Sequence, residues 1–280
     1  MTYQEVLKQG VIQLEEAGIE EALVDARTLF FSVTGFTLAS YYMKAAHEFL
    51  DEKKIQEFDR LIHLRLQKNP IQYILKSQEF YGLEFYVDEN VLIPRQDTEV
   101  LVEECLKKLP EDPLGNGKIL DLCTGSGCIA ISLKKNRMAY EVSGVDLSEG
   151  ALAVARKNSE RLKIPVTFIK SDLFESLTGT YEMIVSNPPY IESQVIEGLA
   201  DEVKEKEPRM ALDGGGDGLL FYREIIKNSL DYLNIGGWLL FEIGYDQGAS
   251  VSNLMIQEGF FNVSIVKDLA GLDRVVMGRK

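Results

Sequence analysis

From Lys118 onward, short apolar runs alternate with amphipathic stretches of helical period, and no other feature of the chain restricts its fold as much. The runs Ile119-Leu120, residues 142–145, 166–169 and 183–186 read as strands, and residues 128–135 and 149–162 read as helices between them. Strand and helix in alternation is the pattern of a parallel sheet joined by crossover helices. The Met183-Ile184-Val185 run in particular has the unbroken apolar character of a strand buried on both faces. Ligands of such sheets bind above the carboxyl ends of the strands, which makes the residues after each run the candidate site.

Four strand exits carry chemistry. The first is Asp121-Leu122-Cys123-Thr124-Gly125-Ser126-Gly127, where glycine after a buried strand lets the chain turn tightly and lets a ligand approach. The following helix offers free N–H groups to a polar ligand. No third glycine completes a Gly-x-Gly-x-x-Gly spacing, which favours a nucleoside site over a pyrophosphate site. The second exit presents Asp146, either an acceptor for both hydroxyls of a ribose or an N-cap for the helix 149–162. The third is Ser171-Asp172-Leu173, placed to meet a purine.

The fourth exit, Ser186-Asn187-Pro188-Pro189-Tyr190, ends its strand abruptly because neither proline has an N–H to donate to a ladder. Asn187, preceding a proline, is pushed toward extended geometry. A stiff exit of this kind presents the Asn187 side-chain oxygen, the Pro188 carbonyl and the Tyr190 ring. Two acceptors can take the two hydrogens of a planar NH2 group and turn its poorly nucleophilic lone pair toward an electrophile, while the ring fixes its plane. Such placement can supply up to ~7–11 kcal/mol of a barrier. Taken alone, the tetrapeptide is equally readable as a plain turn.

Upstream the pattern differs. Residues 1–75 read as a helical bundle, with helices that stop near Gly18 and Gly35, one over residues 37–49, and one over residues 51–67 with Asp51 as candidate N-cap and Ile55, Phe58, Ile62 and Leu66 at helical spacing. A bundle of this size serves recognition of a partner or substrate, or oligomerisation. Residues 76–96, rich in Phe and Tyr around Gly82 and then Val91-Leu92-Ile93, read as a β-hairpin connector. Residues 97–280 form the second domain, opened by a helix with Asp97 as candidate N-cap. Arg95 and Glu99 can form a surface pair or line a pocket. Toward the carboxyl terminus the reading is a loop at 214–218, a helix at 219–233, a strand at 238–243, a helix from 247, and strands near 261–266 and 274–277.

Composition narrows the function. A net charge of −14 opposes duplex binding, which wants a basic stripe, and suits either a basic protein partner or simple solubility. Three cysteines without a Cys-x-x-Cys pair and only two histidines, His47 and His63, leave little for a disulfide framework, a metal centre or a His-based triad. No apolar run reaches the ~18 residues of a membrane span, and the amino terminus lacks the basic-then-apolar pattern of a signal peptide. The expectation is a cytoplasmic protein with no metal.

In this order, the glycine loop, Asp146, Ser-Asp-Leu and Asn-Pro-Pro-Tyr resemble a class I S-adenosylmethionine-dependent methyltransferase acting on a planar nitrogen. Three flanking stretches narrow the resemblance: Leu92-Ile93-Pro94-Arg95-Gln96-Asp97-Thr98-Glu99, Glu207-Pro208-Arg209-x-Ala211-Leu212, and Gly215-Gly216-Asp217-Gly218-Leu219-x-Phe221-Tyr222-Arg223. With the helical amino-terminal domain they resemble the peptide chain release factor glutamine N5-methyltransferases (the PrmC/HemK family) over nearly the whole chain. The resemblance implies an α/β fold, a Rossmann-like methyltransferase sheet with a small helical domain that recognises the substrate. It implies S-adenosyl-L-methionine as cofactor and class I release factors as partners, methylated on the glutamine of a Gly-Gly-Gln motif, with no membrane or direct nucleic-acid binding.

Carried over by residue, Cys123, Thr124, Gly125, Ser126 and Gly127 would wrap the methionine part of the cofactor, Asp146 would hold its ribose, and Asp172 and Leu173 would flank its adenine. Asn187, Pro188, Pro189 and Tyr190 would grip the substrate amide; Asn187, Pro188 and Tyr190 would carry catalysis, and Asn187 would also touch the cofactor. The sequence departs from the family at three places. Cys123 stands for the loop's first glycine, tolerable if its φ is negative, with an inert thiol. Gln96 stands for a common proline, and Leu173 for an aromatic residue beside the adenine. Two other readings remain: a nucleic-acid amino-methyltransferase of the adenine N6 type, against which the acidic balance counts, and a nucleotide-binding regulator or nicotinamide oxidoreductase, against which the missing third glycine counts.

Overall fold

The computed structural model describes residues 1–111 and 117–280. The chain divides into two compact units, Met1–Lys76 and Ser77–Lys280.

The first unit contains α1 (Tyr3–Glu16), α2 (Ala22–Thr34), α3 (Leu38–Lys44), α4 (Glu52–Leu66) and α5 (Ile71–Leu75). Sequence signals set most of their ends. Thr2 and Glu5 form a reciprocal capping box on α1, the Asp51 carboxylate caps α4 by accepting from Lys54 N–H, and Gly35 closes α2 in the left-handed conformation. Leu14, Leu29, Phe30, Phe58 and Ile62 fill the core, with Phe30 edge-on to Phe58 and Phe49.

The third helix is shorter than its sequence suggests, ending at Lys44 rather than near Phe49. The carbonyls of Ala45 and His47 instead accept from the N–H groups of Gln4 and Tyr3 in the first turn of α1. Donors without a partner at one helix start thus end another helix, a long-range effect that local propensity does not carry. His47 therefore lies in a turn, while His63 is on α4. The helix α5 also goes beyond the sequence reading.

One buried ion pair crosses this unit. Arg65 Nε donates to Asp25 Oδ2 at 2.7 Å, and both side chains are 9% exposed. Asp25→Ala would leave a buried guanidinium without its carboxylate, keeping its bond to the Asn69 carbonyl, and is expected to lower stability by about 3 kcal/mol. Thermal unfolding tests this, and an unchanged midpoint would show that the pair contributes nothing.

The second unit begins with a hairpin, β1 (Gln78–Phe80) and β2 (Leu83–Phe85), closed by Tyr81-Gly82 with φ of +50° and +66°. Positive φ at both turn residues matches the right-handed strand twist. Phe80 and Phe85 are fully buried in the core of this unit, so the hairpin is packed into it. The run Val91-Leu92-Ile93 lies outside any strand, with Val91 and Ile93 buried.

The remaining elements are α6 (Thr98–Lys108), β3 (Lys118–Leu122), α7 (Cys128–Asn136), β4 (Glu141–Asp146), α8 (Glu149–Leu162), β5 (Thr167–Lys170), β6 (Tyr181–Ser186), α9 (Asp201–Lys204), α10 (Leu220–Tyr232), β7 (Leu233–Glu242), α11 (Gly248–Gln257), β8 (Phe261–Lys267) and β9 (Asp273–Arg279). Seven strands form one sheet in the order β5-β4-β3-β6-β7-β9-β8. The first five are mutually parallel, and β9 runs antiparallel to both β7 and β8.

Successive side chains of the central strands enter opposite cores. Met183, Val185 and Leu240 pack with α6 and α7 residues, whereas Ile184, Leu239 and Phe241 pack with Tyr222, Ile225, Val251 and Met255 of α10 and α11. Trp238 packs at the edge of the first core. The strand β7 starts five residues before its expected start, because Leu233 pairs with Tyr181 ahead of a register shift between Tyr181 and Met183. The strand order reverses between β3 and β6, so the crevice lies above the carboxyl ends of β3, β4 and β6.

Candidate active site

The crevice is a cavity of about 340 Å³. Its wall brings together nine of the expected residues: Cys123, Thr124, Gly125, Ser126, Asp146, Asp172, Leu173, Asn187 and Pro189. Gly127, Pro188 and Tyr190 do not line it. Gly127 is the N-cap of α7, Pro188 is buried, and Tyr190 packs against the core next to α10 and α11.

The loop after β3 is held from several sides. The Thr124 hydroxyl donates to Asp121 Oδ2 at 2.6 Å, Thr124 N–H donates to the Val145 carbonyl at 2.9 Å, and Gly127 N–H donates to the Thr124 carbonyl at 2.8 Å. Asp121 Oδ2 also accepts from Ala130 N–H in the first turn of α7. This framework explains an expectation about the loop that the geometry overturns. Cys123 has φ of +59°, not the negative value its Cβ would prefer, because the turn off β3 demands the left-handed region that glycine fills at lower cost. For a residue with a Cβ the conformation costs about 1–2 kcal/mol, which the surrounding bonds offset. Burial pushes the Cys123 and Cys128 thiols well up, so both remain protonated and unreactive. Leu173 is also left-handed, with φ of +45°.

Asp146 is not the cap of α8; the Ser148 hydroxyl is, accepting from Ala151 N–H. Asp146 Oδ2 accepts from Gly125 N–H and Oδ1 from Ser148 N–H, each at 2.9 Å, tying the glycine loop to the next strand exit. A carboxylate has about four lone-pair positions, so each oxygen keeps one for a ligand.

The fourth exit is clamped by the glycine-rich segment that follows it. Gly214 lies so close that a Cβ there would come within 2.7 Å of Tyr190 Cα, and one on Gly218 within 2.4 Å of the Tyr190 carbonyl oxygen. Ile191 N–H donates to the Leu212 carbonyl, the Ile191 carbonyl accepts from Gly214 N–H, and Gln247 Nε2 donates to the Tyr190 carbonyl. Asn187 Nδ2 donates to Thr98 Oγ1 at 3.4 Å.

Several wall residues lie outside the four strand exits, most of them in the flanking stretches that narrow the resemblance. Asn90, Val91, Leu92, Pro94, Arg95 and Thr98 supply one side of the cavity, and Met210, Ala211 and Phe221 another. The two sides are joined through Glu207, whose carboxylate accepts from Arg95 and, at 3.2 Å, from Ile93 N–H. Arg95 and Glu99 are therefore not a pair: Arg95 lines the cavity, and Glu99 accepts from Tyr81 N–H. Asp97 makes no helix cap, pairing instead with Arg274 at 3.2 Å, and Gln96 is exposed outside the wall, so its departure from proline does not touch the cavity.

Two buried acids lie beneath the wall. Asp121 and Glu242 are 0% and 2% exposed, and each has one oxygen without a hydrogen-bond partner among the described residues. Burial raises both carboxyls to about 7. The folded protein thus retains two protons that the unfolded chain releases at about pH 4, and stability falls as pH rises from there through about 7. Calorimetry is expected to give a lower unfolding midpoint at about pH 8 than at about pH 5.5. A midpoint that rises over that interval would contradict the assignment.

Sheet order, parallel core, antiparallel edge and the crevice at the strand exits define a class I methyltransferase. The sequence matches the Methyltransferase small domain over residues 96–220 and the PrmC N-terminal domain over residues 5–75. It is 42% identical to the release factor glutamine methyltransferase of Geobacter sulfurreducens, covering 95% of this chain and 92% of that protein. The like-named protein of Clostridium botulinum is 40% identical with 100% of each covered. The chain belongs to the release factor glutamine methyltransferase family. Among solved structures, a methyltransferase from Pyrococcus furiosus shares the fold at a TM-score of 0.54 and 19% identity, over 78% of this chain and 97% of that one. No single helix among the described residues is long and apolar enough to cross a membrane.

Proposed function

We propose that this chain methylates the side-chain amide nitrogen, N5, of the glutamine in the Gly-Gly-Gln motif of class I peptide chain release factors, using S-adenosyl-L-methionine. The observation that carries the reading is Asn187 on the cavity wall: its NH2 is engaged by Thr98, and its oxygen makes no bond to any described residue. That oxygen is one acceptor for the amide hydrogens of glutamine; the Pro188 carbonyl would be the second, reached from behind the wall.

The cavity suits the cofactor. Asp146, Asp172 and Asp213 contribute carboxylates to the wall, while its guanidinium, Arg95, is already paired with Glu207. An acidic wall favours a sulfonium and an amino group over a pyrophosphate. Bound there, S-adenosylmethionine supplies an electrophilic methyl group. Residues 123–127 would hold its methionine part, Asp146 its ribose, and Asp172 and Leu173 its adenine. Asn187, Pro188, Pro189 and Tyr190 would hold the amide, with Tyr190 acting from behind the wall. The helical unit would recognise the release factor, and three free cysteines suit a cytoplasmic enzyme.

Labelled S-adenosylmethionine offered to a mixture of class I release factor, DNA and RNA separates the substrate classes. Label confined to the factor is expected. Label confined to nucleic acid would move the substrate to a nucleobase amine and leave the methyl-transfer chemistry in place.

A further inference from the structure

The glutamine reading requires the Asn187 amide to face one way, oxygen toward the substrate, although an amide flipped by half a turn fits the same space. Something must impose the direction. Glu242 ends β7 one residue beyond Phe241, which pairs with Ser186, so Glu242 and Asn187 leave neighbouring parallel strands at the same level. Thr98, the first residue of α6 and 2% exposed, lies beside both.

We propose that Glu242 is a positioning residue, whose buried carboxylate sets the direction of a chain running through the Thr98 hydroxyl to the Asn187 amide. A carboxylate can only accept, so it draws the single Thr98 hydroxyl hydrogen toward itself. Thr98 Oγ1 is then left as an acceptor, and the contact observed there is with the Asn187 NH2. The Asn187 oxygen is turned outward to receive an N–H of the group to be methylated. Glu242 does not line the cavity; it acts on the Asn187 NH2 through Thr98 and by facing that NH2 itself.

The polarity depends on charge. Protonated Glu242 can donate to Thr98, whose hydroxyl hydrogen then turns to Asn187 and favours the flipped amide, with NH2 facing an NH2 substrate. Burial, opposed by Thr98, by the Arg274 guanidinium from β9 and by Asn187, places this carboxyl at about 7. Asp97 ahead of α6 pushes in the same direction as burial, and Tyr190, Tyr222 of α10 and Cys128 of α7 are the other titratable groups facing it. Arg274 is shared with Asp97 and Asp268, at 3.2 and 3.1 Å. The amide of a glutamine substrate does not itself titrate in this range.

The inference rests on the amide-substrate reading and is tested with E242Q, T98V and T98S beside the wild-type protein. E242Q and T98V are expected to lose roughly 10–100-fold in kcat, the scale of a misoriented reacting group, with cofactor affinity by calorimetry within about 2-fold. The wild-type kcat should fall on acidification through about 7 and that of E242Q should not. T98S, which keeps the hydroxyl, should recover most of what T98V loses. In the ligand-free protein, infrared difference spectra should show two protonated carboxyls, Asp121 and Glu242, that disappear as pH rises through about 7, and E242Q should lose one of them and keep the Asp121 signal. That measurement needs no substrate, so it separates failure of the Glu242 assignment from failure of the glutamine reading, which would appear as an unmethylated release factor with wild-type enzyme. Full kcat in E242Q at every pH, T98S as impaired as T98V, or a carboxyl titration of equal size in E242Q and the wild-type protein would each overturn the proposal.

Discussion

Asn187→Ala is expected to lower turnover by about 10²–10³-fold while leaving cofactor affinity within a few-fold. An amide nitrogen attacks poorly because its lone pair is delocalised, so the enzyme must supply orientation that solution does not. Asn187 is fixed for that purpose. It follows β6 directly, its φ range is narrowed by Pro188, and its NH2 is tied to Thr98. Behind it, Gly214 and Gly218 press on the Tyr190 backbone, which leaves the exit little room to relax. Truncation removes an acceptor but disturbs neither the Asp146 anchor nor the glycine loop, so the loss should fall on kcat. Steady-state kinetics with a release factor, beside calorimetry of S-adenosylmethionine binding, separates the two quantities. Near-full activity in the variant would remove Asn187 from the mechanism.

Asp146→Ala is expected to weaken S-adenosylmethionine binding by at least about 10²-fold, since hydrogen bonds to a charged acceptor contribute roughly 1.5–3 kcal/mol each and two ribose hydroxyls would be lost. The variant also releases the amides of Gly125 and Ser148, both held at 2.9 Å, so the loop that should cradle the methionine part loses its tether. Titration calorimetry reads the effect directly. Wild-type affinity would confine the Asp146 carboxylate to a structural role between two strand exits.

The sheet was legible in the sequence because its signals are local. Apolar runs ended by glycine or proline mark the exits of β3 and β6, and the helix α8 was delimited at both ends. What escaped depends on distant partners. The third helix stops early because α1 takes its carbonyls, β7 starts early because Leu233 finds Tyr181, and Asp97 turns from its own helix to Arg274. The site divides in the same way. Loop residues 123–126 and Asn187 could be read directly, whereas the Arg95–Glu207 link spans 112 residues. The Glu242 environment exists only once β7 lies beside β6. One clue to it was present, a single acid inside the apolar run Leu239-Leu240-Phe241-Glu242-Ile243, where an ionisable side chain has no structural reason to be buried.

The central claim is that the acceptors at the end of β6 present a glutamine side-chain nitrogen for methylation, and mass-spectrometric localisation of the methyl group tests it most directly. A class I release factor is incubated with the enzyme and S-adenosylmethionine, digested and fragmented, beside a factor whose Gly-Gly-Gln glutamine has been replaced. One methyl group on the side-chain nitrogen of that glutamine, and none on the replaced factor, is the predicted result. A methyl group at any other position of the factor, or equal modification of the replaced factor, would contradict it.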